Sequence, residues 1–114
     1  MEKTTETRLR HVGEAVIIDL IGDVTNRGQQ AIESAYEIAL DGKPQRVFIN
    51  FGAIEYINTS GIAVLISLVM KGEESGRKIG LFGMSGHYRK VFKLVRLPLY
   101  ADVYDSEDEA LGSL

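Results

Sequence analysis

Hydrophobic positions along the chain switch repeatedly between strand-like runs and helix-like stripes. Ala15-Val16-Ile17-Ile18-Asp19-Leu20-Ile21 is nearly continuous apolar sequence closed by Gly22-Asp23, the pattern of a strand buried on both faces. Leu9 to Val12 reads as a short preceding strand, with Gly13-Glu14 as the turn of a hairpin. Asn26 with Gln29 three residues on marks a helix start, after which Ala31, Ile32, Ala35, Ile38 and Ala39 recur at helical spacing. Asp41-Gly42-Lys43-Pro44 stops that helix, Arg46 to Phe51 is the next strand, and Gly52 to Ile57 is a connector.

A second helix is predicted from Thr59 to about Gly72 or Gly76, then a short strand over Lys78 to Gly83. Ser85-Gly86-His87 opens a third helix with Tyr88, Val91, Phe92 and Val95 on one face, ended by Leu97-Pro98-Leu99. Tyr100 to Val103 reads as a last edge strand, and Ser106 with Glu109 has the spacing of a capping box for a short final helix. Residues 1–7 are polar and are expected to fray. Alternating helix and strand patterns in 114 residues predict one α/β domain.

The chemistry concentrates in Asn58-Thr59-Ser60-Gly61, at the junction between the connector and the second helix. A helix start leaves backbone N–H groups unpaired and carries the positive end of the dipole, so it suits a phosphate. At about 100° per residue, Ile62, Leu65, Ile66 and Val69 share one side of the helix, read as the core face. Ser60, Val64, Ser67 and Lys71 then fall opposite, with Leu68 on the flank, giving a modest protein-binding patch. Phosphorylating Ser60 would add about −1.5 to −2 charges beside that patch and repel a partner without unfolding the domain. Equally, Thr59 or Ser60 can serve only as a helix cap, with Gly61 permitting close packing.

The segment Ile57-Asn58-Thr59-Ser60-Gly61-Ile62-Ala63-Val64-Leu65 resembles the signature of bacterial anti-sigma factor antagonists, members of the STAS domain family, whose pattern is Asp-Ser-Ser/Thr-Gly followed by an apolar helix. Gly22-Asp23-Val24, Val47-Phe48-Ile49-Asn50-Phe51, Gly80-Leu81-Phe82-Gly83, Phe92-Lys93-Leu94-Val95-Arg96-Leu97 and the acidic Tyr104–Leu111 segment are similar to the family in the same order, over roughly residues 8–111. The resemblance implies a small mixed sheet of four or five strands with about four helices packed against it. It places the phosphorylated hydroxyl at Ser60, with Thr59 as the alternative, and adds Asp23 and Asn26 to the partner-binding rim formed with Asn58, Thr59, Ser60, Gly61, Val64, Ser67, Leu68 and Lys71.

The implied partners are an anti-sigma factor that is itself a serine-protein kinase and a PP2C-type phosphatase that restores the unphosphorylated form. Asn58 departs from the family's leading acidic residue: it keeps a capping oxygen and loses the charge. That departure favours a second reading, a non-switching scaffold subunit of a signalling assembly; a third, another use of the STAS fold, is an accessory domain of a lipid-transport permease.

Other chemistry is sparse. There is no cysteine, and His11 and His87 have no acid or nucleophile near them in sequence, so neither catalytic nor metal-binding residues are assigned. The expectation is a binding module, not an enzyme, with no cofactor. Net charge of −3 gives no general attraction to nucleic acid, and the longest apolar run is too short to enter a bilayer as a span. A polar N-terminus without a signal-peptide core predicts a cytoplasmic protein, a monomer or weak dimer. The glycines at 80, 83 and 86 read as turn residues, and the basic third helix as a solvated face.

Overall fold

The computed structural model describes residues 4–114. Five strands form one sheet in the order of the chain: β1 (Glu6–Val12), β2 (Ala15–Val24), β3 (Arg46–Ile57), β4 (Ile79–Phe82) and β5 (Ala101–Tyr104). The β1–β2 hairpin is antiparallel, and every later pairing is parallel. Parallel neighbours need crossovers, supplied by α1 (Gln29–Asp41), α2 (Thr59–Glu74) and α3 (Gly86–Leu94); α4 (Glu107–Gly112) closes the chain. The mixed sheet with four helices is the predicted α/β class.

The alternation along β2 sorts the core into two layers. Val16, Ile18 and Leu20 face a large cluster that takes Ile32, Ala35, Tyr36 and Ala39 from α1, Val64, Leu65, Leu68 and Val69 from α2, and Phe92 from α3. Ala15 and Ile17 face the other way, onto Phe48, Phe82 and Ala110 of α4. Phe48 meets Phe82 and Tyr104 edge to face, with ring centroids 6.5 and 6.1 Å apart. On this second side Arg10 grips Asp19 through Nε–Oδ2 at 2.7 Å and Nη2–Oδ1 at 2.9 Å, and reaches Glu107 Oε1 at 2.6 Å. Asn50 adds a 2.9 Å hydrogen bond to Asp19 Oδ1, so one polar network ties β1, β2, β3 and α4 together.

Four sequence expectations are corrected. The stretch read as frayed contains ordered residues: Glu6 and Thr7 pair with β2, and the buried Thr5 donates its hydroxyl to the Asp23 carbonyl at 2.6 Å. Residues 1–3 lie outside the described residues. The connector from Gly52 to Ile57 is strand, because β3 keeps pairing with β2 as far as Val24↔Ile57 after leaving β4 at Asn50. The start of α1 is set by Thr25, whose Oγ1 accepts from Arg27 N at the head of a 3-10 turn (Asn26–Gly28), and not by Asn26; Ile38, read on its apolar stripe, is exposed and Tyr36 is buried instead.

Candidate functional site

The end of β3 delivers the chain into α2 with its first turn already capped. Asn58 is in extended backbone, and its Oδ1 accepts the Gly61 N–H at 2.8 Å. Thr59 and Ser60 follow as the first two helical residues, and both are exposed. Gly61 is buried because the helix start presses on β2: a Cβ there would overlap the Val24 carbonyl oxygen. That same carbonyl accepts the Asn58 N–H at 3.2 Å. The Asp23–Asn26 turn therefore lies directly against the start of α2, with Asp23 half-buried and Asn26 exposed.

A residue outside the predicted site completes its support. Tyr88 on α3 accepts the Ile57 N–H on its phenol oxygen at 2.8 Å, fixing the last residue of β3 ahead of Asn58. Sequence periodicity marked Tyr88 only as an apolar-face residue, and its hydroxyl gave no local signal, since the bond spans two elements.

The predicted face of α2 requires correction. Val64 and Leu68 are only 7% and 3% exposed, so they belong to the core and offer no contact area. Ile62 and Ile66, expected inside, are half-buried. The inward face is rotated by roughly a quarter turn from the predicted one, given about 100° per residue. Gly61 and Gly72 explain the rotation. They lie eleven positions apart, close to three whole turns, and both contact backbone: a Cβ at 72 would stand 2.7 Å from the Arg77 carbonyl oxygen. The stripe that approaches the sheet is thus Gly61, Leu65, Leu68 and Gly72. Gly61 also moves from the predicted contact rim to the buried side.

What α2 presents to solvent is Ser60, Ala63, Ser67, Met70 and Lys71, with Ile66 at the margin. Ala63, Ile66, Ser67, Met70, Lys71 and Glu74 line a shallow depression along this face. Lys71 pairs with Glu37 of α1 at 2.7 Å, and that carboxylate holds the ammonium above its ordinary lysine value. The predicted residues Asp23, Asn26, Asn58, Thr59, Ser60, Ser67 and Lys71 are therefore brought to one end and one side of α2, while Val64 and Leu68 are replaced by Ala63, Ile66 and Met70. His11 and His87 are both exposed and on separate elements, with the His87 ring edge-on to Tyr88 at 4.8 Å.

This geometry can present a modifiable hydroxyl beside a weakly apolar surface. No helix among the described residues is long and apolar enough to cross a membrane.

The fold is shared with solved structures. An anti-sigma factor antagonist from Mycobacterium paratuberculosis superposes with a TM-score of 0.80 at 21% identity, covering 96% of this chain and 92% of that one. The Bacillus cell fate determinant SpoIIAA in its phosphorylated form gives 0.70 at 23% identity, over 95% and 98%. A sulfate transporter family protein from Wolinella succinogenes gives 0.76 at 15% identity, over 91% and 87%. No curated protein matches the chain. The family model described as "Mlab, STAS domain" matches residues 7–98, from β1 through α3, including the capped hydroxyl-glycine junction at the head of α2. With most of its length under that one model, the chain belongs to the STAS domain family.

Proposed function

We propose that the chain is an anti-sigma factor antagonist: a binding module, not an enzyme, that when unphosphorylated sequesters an anti-sigma factor with serine kinase activity in the cytoplasm. The observation that carries this reading is the exposure of Ser60 immediately ahead of the buried Gly61. The first turn is already capped by Asn58, so a phosphate on Ser60 would replace no internal hydrogen bond. The helix dipole would stabilise it, while the added charge would face a partner docked on Ala63, Ser67 and Met70. A PP2C-type phosphatase would then reset the switch. Incubation with the cognate kinase and ATP, read by mass spectrometry, tests the acceptor: wild type gains one phosphate and Ser60→Ala gains none. Equal uptake by both would remove Ser60 from this role.

A second reading, an accessory domain of a membrane transporter such as a lipid-transport permease, draws on the "Mlab" description of the matching family model and on the Wolinella neighbour. It uses the same α2 face without a phosphate and is compatible with Asn58 in place of an acid. Stable co-purification with a permease complex from the native membrane, unaffected by ATP, would favour it over the switch.

A further inference from the structure

A second surface lies away from the α2 junction, between α3, the 3-10 turn Leu97–Leu99 that follows it, and β5. It is a half-open groove of about 590 Å³, floored by Phe92, Leu99 and Val103 and rimmed by Arg89, Lys93 and Arg96. Phe92 is buried, whereas Leu99 remains 64% exposed.

Two of the three cations on this rim are left without a carboxylate among the described residues. Arg10, Arg46, Lys71 and Lys78 each meet a carboxylate. Arg89 meets Asp105, but Lys93 and Arg96 pair with no carboxylate among the described residues. A locally basic rim on a chain of net charge −3 runs against the bulk sign. Arg96 also adopts φ 62° and ψ 26°, the left-handed conformation just past a helix end where glycine is the usual occupant. An arginine is held there despite its Cβ, and its side chain lines the groove.

The cations and the apolar floor together decide between ligand classes. Arg89 and Lys93 stand one turn apart on α3, and Arg96 lies two residues past its last residue, in left-handed backbone. An anionic group alone would leave the floor of the groove uncovered. A segment with carboxylates on one side and apolar side chains on the other would meet Lys93 and Arg96 together with the floor. We infer that this groove docks an acidic amphipathic helix of a partner protein, independently of the α2 surface.

The test is a fluorescence-anisotropy titration of the whole chain with a labelled helical peptide carrying leucine on one face and glutamate on the other. A peptide of the same composition with the leucines scattered around the helix is the control. Saturable binding to the first peptide is expected, weakening with salt and by about tenfold or more in the Lys93→Glu/Arg96→Glu double variant. Arg96→Gly separates binding from folding: relief of the left-handed arginine is expected to raise Tm by a few degrees while peptide affinity falls. Ser60→Asp leaves this binding unchanged, so failure here and failure of the switch are read separately. Equal affinity for the scattered peptide, preference for phosphatidylglycerol vesicles or oleate, self-association by light scattering, or unaltered affinity in the double variant would each overturn the inference.

Discussion

The phenol oxygen of Tyr88 receives the Ile57 N–H at 2.8 Å, joining α3 to the last residue of β3 across the sheet's upper end. Tyr88→Phe leaves that donor, on the buried Ile57, without its phenol partner. The expected loss is about 1–3 kcal/mol in urea denaturation, with faster amide exchange at Ile57 and Asn58. An unchanged midpoint and unchanged exchange would show that the clamp contributes nothing.

Asn58 is the helix cap, and its chemistry separates folding from recognition. Asn58→Ala removes the bond to Gly61 N–H and is expected to cost about 1 kcal/mol. Asn58→Asp keeps a capping oxygen, places a negative charge at the positive end of α2, and is expected to hold or slightly raise Tm. If a kinase reads that carboxylate, Asn58→Asp also speeds phosphate uptake at Ser60.

Gly61→Ala is expected to be among the most damaging small substitutions in the chain. The added methyl meets the Val24 carbonyl, a backbone atom that cannot rotate away, so the helix start must lift from β2. A destabilisation of about 3 kcal/mol follows from overpacking of this kind. Thermal melts of Gly61→Ala beside Gly86→Ala, where nothing stands within 4 Å, make the comparison internal.

Ser60→Asp places a charge on an exposed residue of the first helical turn. Its Tm is expected to stay within about 2 °C of wild type, or rise slightly through the dipole. Affinity for the proposed anti-sigma factor, measured by calorimetry, is expected to drop at least tenfold. Full affinity in Ser60→Asp would count against the switch.

Asp19 predicts a pH dependence. Burial by itself would raise its carboxyl, but hydrogen bonds from Arg10 and Asn50, with the charges of Arg10 and Arg8, outweigh that and hold it below the usual carboxylate range. A carboxyl depressed in the folded state stabilises above its unfolded value of about 3.9, and that contribution disappears as pH falls through the folded value. Urea midpoints measured from neutral pH into the acid region should therefore fall more steeply for wild type than for Asp19→Asn, which loses about 1–3 kcal/mol at neutral pH and is flatter below it.

Much of the architecture is readable from the chain because its signals are local. The apolar run Ala15–Ile21, the Ser106/Glu109 cap of α4 and the Asn58 start of α2 each declare themselves within a few residues. The errors share the opposite character. Counting large aliphatics along α2 turns Ile62 and Ile66 inward; the glycines at 61 and 72, which mark where the helix meets neighbouring backbone, point to the buried side. The later part of β3 carries Glu55 and Tyr56 on exposed positions because only β2 still flanks it, so its pattern resembles a loop. Thr5 looks like part of a polar tail until its partner, the Asp23 carbonyl eighteen residues away, is seen.

The two glycine contacts of α2 have an effect reaching past stability. A helix seated through side chains drifts whenever those side chains change, whereas this one is gauged against carbonyl oxygens of Val24 and Arg77. Conservative drift at Leu65 or Val69 would then alter how firmly the rod is held without altering where its tip points. The start of α2 is calibrated to the main chain, and the side chains packed behind it are not what sets its position.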